Sequence, residues 1–379
     1  MKHVASWILG TALAGAMLAG TAGGAAAETL KAAHFLSPKH PVGVGYQVFA
    51  DEVKRASNGK LTVRIFPGES LLGAKAISDG VRDHVADMGQ VVMTYTPSYY
   101  PHGVMINNLA MVGEDDMAGA MTVTELYWLH CKPCHQEFSR QNQIFLGGTS
   151  TVPYVIIAKG DLNGVDKIKG AKLRAGGSLW DRFAAHIGAV GVNIAASEMY
   201  ESLSRGILNG ALYAVGGLKT HGLGDVATQV VMLKTGSFRA AAVFSVNQDT
   251  WSKLSPEQRV AMFKASSLAV VRTVEEYRRG DEEGIAIAKQ KNIPLVEPDP
   301  ALVKARDDFV AHDLERTVAN AKQSLGIDDA ADFVEKYKTL YAKYDKLVQP
   351  VAKDTAKLAE ILYQETYAKL DPKTAGVKQ

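Results

Sequence analysis

Residues 61–93 read LTVRIFPGESLLGAKAISDGVRDHVADMGQVVM, and this stretch predicts the fold class. Leu61–Phe66 alternates apolar and polar residues, as a half-buried strand does. Ala74–Asp83 has the pattern of a short helix, and Met88–Met93 reads as an apolar strand. A strand, a helix and a second strand in this order are typical of a crossover connection in an open α/β sheet.

The flanking sequence extends the same alternation in both directions. Thr29–Phe35 (TLKAAHF) predicts a strand and Tyr46–Ala56 an amphipathic helix, so the chain opens β-α-β-α-β. Further strands are predicted at Val155–Lys159 and Ala240–Val246, and a long helix at Pro256–Lys289. Because no low-complexity linker separates two halves, we expect two domains joined by crossing strands or a shared helix.

Composition places the chain among ordinary globular proteins. Its 379 residues are 47% hydrophobic and 22% charged, a length that suggests about two domains. The formal net charge is only +2. A broad phosphate-binding surface needs a strongly basic chain, so we expect no nucleic-acid partner.

The first residues have the features of a secretory signal peptide. Lys2 precedes an apolar run that begins at Val4, and Ala25-Ala26-Ala27 fits a small-residue cleavage site. Residues 1–27 are therefore predicted to be removed, leaving a mature chain that starts at Glu28. No later stretch has the ~18 apolar residues of a membrane span, so no stable membrane insertion is expected.

Both cysteines lie in the heptapeptide LHCKPCH, residues 129–135. The spacing Cys131-x-x-Cys134-His135 is that of a c-type haem attachment, and free thiols or a zinc site are further alternatives. We expect a Cys131–Cys134 disulfide instead. The two side chains meet at i, i+3 on a helical turn, and export leads to an oxidising compartment. Pro133 interrupts the helix predicted over Glu125–Arg140 and fits the first turn of a restarted one.

Five segments in fixed order carry a family resemblance. They are TLKAAHFLSPKHP (29–41), GESLLGAKAISDGVRDHVADMG (68–89), LNGVDKIKGAKLRAGG (162–177), SEMYESLSRGILNGA (197–211) and NQDTWSKLSPEQR (247–259). Together they resemble the DctP-like substrate-binding proteins of TRAP (tripartite ATP-independent periplasmic) transporters. The resemblance extends from Thr29 to about Lys346.

The resemblance implies an α/β, two-lobed periplasmic-binding-protein fold, in which each lobe is a mixed sheet flanked by helices and one long helix spans both lobes. It implies a periplasmic receptor, not an enzyme, that needs no cofactor and works with the membrane permease subunits of its transporter. The expected division of the chain is a signal peptide at 1–27, lobe 1 at 28–151 plus 239–280, lobe 2 at 152–238 plus 281–345, and a C-terminal helical extension at 346–379.

Arg174 is the first candidate for ligand contact, because the family places the Arg that ends the K-x-R strand on the carboxylate of its ligand. The planar guanidinium fork matches two carboxylate oxygens and stays charged inside a closed cleft. Seven further candidates follow from the family register or from strand ends. They are His34, Phe35, Gln90, Tyr95, Tyr154, Trp180 and Tyr213.

Several positions depart from the commonest family pattern. Tyr154 stands where many members have a second Arg, and Tyr213 where many have an Asn. Val92 replaces an acidic residue and Ala196 a stacking Phe. A site with one cation and added tyrosines favours a monocarboxylate with an apolar or aromatic body.

Alternatives remain open. A four-carbon dicarboxylate or a sulfonate would also pair with a single Arg. The alternative interpretation of Tyr154, Tyr213 and Trp180 is that these three side chains are ordinary core residues that contact no ligand. A periplasmic redox or c-type haem protein built on Cys131, Cys134 and His135 is the alternative of a different class.

Overall fold

The computed structural model describes residues 27–378. Apart from Ala27, the predicted signal peptide lies outside the described residues. Within residues 27–378, no helix combines the length and the apolar character needed to cross a bilayer.

Two mixed sheets form the centre of the molecule. The first has the strand order β2 (Leu61–Phe66), β1 (Glu28–Ala33), β3 (Met88–Val92), β10 (Ala241–Asn247) and β4 (Gln143–Gly148). The second has the order β11 (Leu295–Val296), β9 (Gln229–Val231), β5 (Val155–Ala158), β8 (Gly210–Tyr213), β6 (Lys172–Ala175) and β7 (Val190–Asn193). In the first sheet β1 runs parallel to β2 and β3, whereas β10 is antiparallel to β3 and β4.

Fourteen helices among the described residues surround these sheets. They are α1 (Pro41–Ala56), α2 (Ile77–Arg82), α3 (Pro101–Asn108), α4 (Asp116–Glu125), α5 (Lys132–Arg140), α6 (Val165–Ile168), α7 (Ser178–His186), α8 (Met199–Ser204), α9 (Gly217–Thr220), α10 (Gln248–Lys253), α11 (Pro256–Gln290), α12 (Pro300–Leu325), α13 (Ala330–Val348) and α14 (Thr355–Glu365). The predicted two-lobed fold, with a mixed sheet flanked by helices in each lobe, is confirmed.

The long helix α11 matches its prediction to within one residue at its end. It begins with a capping box, in which the Ser255 side chain accepts from the Gln258 N–H and the Gln258 side chain accepts from the Ser255 N–H. The helix is continuous through Gly284. A Cβ there would lie 2.4 Å from the carbonyl oxygen of Val215, so glycine allows α11 to approach the end of β8 in the second sheet. On the other side α11 packs along α1, where Gly45 meets Thr273.

The helix predicted at Glu125–Arg140 differs from the structure at both its start and its break. A helix already begins at Asp116, where Asp115 caps it by accepting from the Ala118 N–H at 2.7 Å. Every residue of α4 is buried, so the sequence has no polar face to mark its periodicity. The break falls at Cys131, not at Pro133, which lies in the first turn of α5 as expected.

One part of the expected domain division differs from the contacts. In α13 the Tyr344 hydroxyl donates to the Glu125 carboxylate at 2.6 Å, so residues 330–345 pack on the first-sheet side although they were assigned to lobe 2. The C-terminal extension also packs there, since the Tyr367 hydroxyl donates to the Leu146 carbonyl oxygen in β4. The other limits of the division stay a prediction.

Candidate ligand-binding site

A small cavity lies where segments of the two sheets meet, beside α11. Its walls are formed by Phe35, Leu36, Gln90, Val92, Tyr95, Thr149, Thr151, Tyr154, Arg174, Ala196, Tyr213, Phe238, Ala241 and Tyr277. These residues enclose about 30 Å³ of water-accessible space, enough for one or two water molecules. The arrangement is therefore a closed one, and a ring-sized ligand requires the walls to move apart.

Arg174 lies on β6, between β7 and β8, and is 2% exposed. Its Nε donates to the Ile194 carbonyl oxygen at 3.2 Å, and one terminal nitrogen donates to the Tyr95 hydroxyl at 3.4 Å. The other terminal nitrogen, Nη1, is buried and has no hydrogen-bond partner among residues 27–378. A buried cation without an anionic partner is costly, so this guanidinium has an unmet requirement for an anion.

Aromatic rings surround the guanidinium. The Tyr213 ring centroid lies 5.6 Å from the Arg174 Cζ atom, within the range of a cation–π contact. Tyr154 stacks between Tyr213 and Trp180, at centroid distances of 5.1 and 4.8 Å. Burial raises the pKa of Tyr154 and of Tyr213 above the ordinary value, so both hydroxyls stay protonated at neutral pH.

Two hydrogen bonds join the end of β3 to the second sheet. The hydroxyl of Tyr95, in the turn after β3, accepts from the Ala196 N–H at 2.9 Å. The neighbouring Thr94 hydroxyl donates to the Gly176 carbonyl oxygen at 3.2 Å. Both bonds require the two lobes to be together, so they belong to the closed arrangement.

Two histidines flank the Tyr213 hydroxyl on the far side of the cavity. His221 Nε2 lies 2.9 Å from that hydroxyl, and His40 Nε2 lies 3.5 Å from it. His40 Nδ1 accepts from the Val42 N–H at the start of α1, so the ring proton of its neutral form is on Nε2. Burial, followed by the charge of Arg174, lowers the pKa of His221 to about 3. Both rings are therefore neutral near pH 7.

The structure brings together six of the eight predicted ligand residues. Those that line the cavity are Phe35, Gln90, Tyr95, Tyr154, Arg174 and Tyr213. Trp180 lies behind Tyr154 and donates from Nε1 to the Thr235 carbonyl oxygen, as its core-packing interpretation expects. His34 is buried against Tyr46 and does not line the cavity. The contact of each residue with a ligand stays a prediction.

The sequence analysis did not identify two aromatic residues of the cavity wall or the buried histidine His40 beside Tyr213. Phe238 precedes β10 and Tyr277 lies in the middle of α11, where no local pattern distinguishes a cavity residue from a core residue. His40 is the N-cap of α1, and only its position before Pro41 marks it locally.

The two cysteines form the predicted disulfide, far along the chain from Arg174. Because both sulfur atoms are bonded to each other, neither is free for a thioether bond to haem or for a zinc ion. His135 Nε2 lies 3.2 Å from the Trp128 carbonyl oxygen, to which it can donate. The haem and zinc interpretations of the motif are therefore wrong for this arrangement. The disulfide joins Cys131, the N-cap of α5, to Cys134 in the first turn of the same helix.

Residues 32–318 match the family DctP, described as bacterial extracellular solute-binding protein family 7. A curated solute-binding protein from Roseobacter denitrificans is 23% identical over 307 residues, which are 76% of this chain and 88% of the relative.

Two solved structures have the same fold. A TRAP solute-binding protein from Rhodoferax ferrireducens, in complex with copurified benzoate, has a TM-score of 0.74 at 20% identity, covering 84% of this chain and 99% of its own. An extracytoplasmic solute receptor from Bordetella pertussis, described as binding pyroglutamic acid, has a TM-score of 0.68 at 19% identity, covering 82% of this chain and 100% of its own.

Proposed function

The chain belongs to the DctP family of bacterial extracellular solute-binding proteins, and from this we propose that it captures a small organic acid and delivers it to a TRAP-type membrane permease. The family consists of solute-binding proteins and not of enzymes, in agreement with the receptor expected from the sequence. Residues 1–27 would direct the chain to the periplasm as a cleavable signal peptide.

The observation that carries the proposal is the unpaired Arg174. Among the residues that line the cavity, Arg174 is the one side chain with a full charge, since the walls include no Asp, Glu, Lys or His. A ligand carboxylate placed at Nη1 would give this guanidinium the anion that the chain does not supply. Arg174 would then hold the acid from the second sheet while the first sheet closes over it.

The rest of the wall favours a monocarboxylate with an apolar or aromatic body. Phe35, Phe238 and the four tyrosines present ring faces, and Val92 and Ala196 leave room between them. A second carboxylate of a four-carbon diacid would be buried here without a cation, at a cost of several kcal/mol. Benzoate and pyroglutamic acid, the acids named for the two similar structures, are both ring-bearing monocarboxylates. A sulfonate carries a single negative charge too and is the alternative to test.

The test is a binding screen of the chain from Glu28 onward by thermal shift, followed by calorimetry. The panel contains aromatic and aliphatic monocarboxylates, four-carbon diacids, sugar acids and sulfonates. Arg174→Met removes the charge at similar length, and Arg64→Met makes the same change on the exposed face of edge strand β2, outside the cavity. Loss of one member of a buried ion pair costs about 3–5 kcal/mol, equivalent to about 10²- to 4 × 10³-fold in Kd.

The proposal expects one class of monocarboxylate to stabilise the wild-type protein and the Arg64→Met variant, but not Arg174→Met. Affinity confined to diacids or to sulfonates would refute the monocarboxylate assignment. An acid that binds Arg174→Met as tightly as the wild-type protein would refute the role of Arg174.

A further inference from the structure

Gln90 is a buried amide on the first-sheet wall of the cavity. It is 3% exposed and lies on β3, between Gly89 and Val91. Its Oε1 atom is buried and has no hydrogen-bond partner among the described residues. A buried polar atom left unbonded costs about 1–3 kcal/mol, so a buried amide in this state needs a physical reason.

Gln143, a second buried glutamine in the same sheet, differs from Gln90 in that its side-chain amide is fully hydrogen-bonded. Gln143, on β4, donates from Nε2 to the Ser78 carbonyl oxygen at 2.7 Å. Its Oε1 accepts from the hydroxyls of Tyr100 and Ser245, at 3.1 and 2.8 Å. The sheet therefore satisfies the amide of Gln143, whereas Gln90, which lines the cavity, has an unbonded Oε1 atom.

The backbone opposite Gln90 is irregular in a way that isolates its side chain. Ala242 pairs with Val91 and Ser245 with Gly89, so β10 has two residues where β3 has only Gln90. This is a β-bulge, a feature that redirects side chains beside functional sites. The Val243 carbonyl oxygen, released by the bulge, accepts from the Tyr46 hydroxyl at 2.6 Å and not from Gln90.

The neighbouring strand adds unbonded polar atoms at the same level. The parallel register pairs Ala33 with Gly89, and continuing it by one residue places His34 level with Gln90. His34 is buried, and neither ring nitrogen has a hydrogen-bond partner in the described part of the chain. Of these two side chains only Gln90 lines the cavity, on the wall formed by the other lobe from Arg174.

We propose that Gln90 selects acids which carry, in addition to the carboxylate held by Arg174, a hydrogen-bond donor such as a hydroxyl or a ring N–H. The inference rests on the proposed function, because it needs a carboxylate at Arg174 to orient the ligand. A hydroxyl suits the amide in either of its two orientations, because it both donates and accepts. A ligand with both groups would link the two lobes, with its apolar body between the aromatic walls.

Pairs of acids that differ by one hydroxyl test the inference by calorimetry. They are benzoate against 2-, 3- and 4-hydroxybenzoate, and phenylacetate against mandelate. In the wild-type protein at least one hydroxylated acid should bind about tenfold or more tightly than its parent. Gln90→Met, of similar size but without a polar group, should reduce that advantage, taken as the ratio of the two affinities within the same variant, to about threefold or less.

The same substitution at Gln143 is the matched control for folding. Gln143→Met removes four hydrogen bonds and should lower the melting temperature, whereas Gln90→Met removes none among the described residues and should not. Gln90→Asn keeps the amide but shortens the side chain by one methylene, so the affinity advantage of the hydroxylated acid should be intermediate. This second variant tests the role of Gln90 if Gln90→Met folds poorly.

Two results would overturn the inference: no hydroxylated acid gains an advantage in the wild-type protein, or the advantage survives in Gln90→Met. If parent acids bind through Arg174 without any such preference, the inference about Gln90 fails alone. If no acid of either kind binds, the proposed function fails as well.

Discussion

Lowering the pH from about 7.5 to about 5 is expected to destabilise the ligand-free protein, because buried histidines near the cleft are neutral in the folded chain. Burial lowers the pKa of His34 to about 4. Burial, followed by the charge of Arg174, lowers the pKa of His221 to about 3. Burial lowers the pKa of His40 well below its usual range as well. In each case protonation favours the unfolded chain. The contribution of the histidine to the free energy of unfolding is therefore fully present above the pKa that it has in the unfolded chain, and it is lost as the pH falls below that pKa.

The size of the loss follows from the lowered pKa values of His34 and His221. An unfolded histidine titrates near pH ~6.5, so at about pH 5 the unfolded state holds about two protons that folded His34 and His221 do not. Each lowers the free energy of unfolding by about 2 kcal/mol over this interval. Asp281 acts in the opposite direction. Burial raises the pKa of its carboxyl to about 6, so the folded protein binds a proton there at a higher pH than the unfolded chain does. This proton uptake raises the free energy of unfolding by about 1 kcal/mol over the same interval. These three groups together lower the free energy of unfolding by about 3 kcal/mol, and His40, whose pKa is also lowered by burial, adds to that loss, which is a large part of a typical stability of about 5–15 kcal/mol.

Urea unfolding of the wild-type protein across this pH range measures the loss directly. The variant His34→Gln/His221→Gln cannot titrate at either position, and glutamine at 221 can still bond the Tyr213 hydroxyl. Its stability should vary with pH by about 4 kcal/mol less than that of the wild-type protein. The reasoning is refuted if the wild-type stability stays constant down to pH ~5, or if the double variant has the wild-type profile.

Three further expectations concern the lobes and the disulfide. Tyr95→Phe removes a hydroxyl that bonds across the lobes only when they are closed, so calorimetry should record about 5- to 30-fold weaker ligand binding; unchanged affinity would contradict it. Gly284→Ala puts a Cβ 2.4 Å from a backbone oxygen and should lower the free energy of unfolding by about 1–3 kcal/mol, whereas Gly280→Ala, whose nearest atom is 3.8 Å away, should not lower it. Replacing Cys131 and Cys134 by Ser opens a very short loop and should cost about 2 kcal/mol, measured by urea unfolding, with ligand affinity retained; a loss of binding would argue for a role beyond stability.

The sequence predicts the regular elements whose patterns are local. The strands β1, β2 and β3 and the helix α11 have clear periodicity or a capping box, and their observed limits differ from the predicted ones by at most a few residues. The strands β7, β8 and β9 were not predicted. They have only three or four residues each, and their pairing partners, not their own sequence, determine that they are strands.

The binding site was predictable to a smaller extent. Arg174 was identified because a family motif marks it, and composition alone would have left it as one arginine among many. Tyr277 could not be found, because it reaches the cavity from a helix more than a hundred residues further along the chain. His34 and Phe35 were both predicted to contact the ligand, and the structure places Phe35 and Leu36, but not His34, in the cavity wall. A difference of one residue at a strand end decides this, and it depends on tertiary packing.

The position of Arg174 also bears on how a receptor of this kind would distinguish its loaded state from its empty one. Closing the lobes removes the guanidinium from water, and among residues 27–378 no carboxylate lies within salt-bridge distance of it. Closure without a ligand therefore carries the desolvation cost of an unpaired cation, which the bonds of Tyr95 and Thr94 offset only in part. A carboxylate bound at Arg174 would remove that cost, so the proposed acid would shift the equilibrium by the difference in its affinity for the two states. The same residue would thus recognise the ligand and make closure depend on it, and a permease that binds only the closed form would receive loaded receptors.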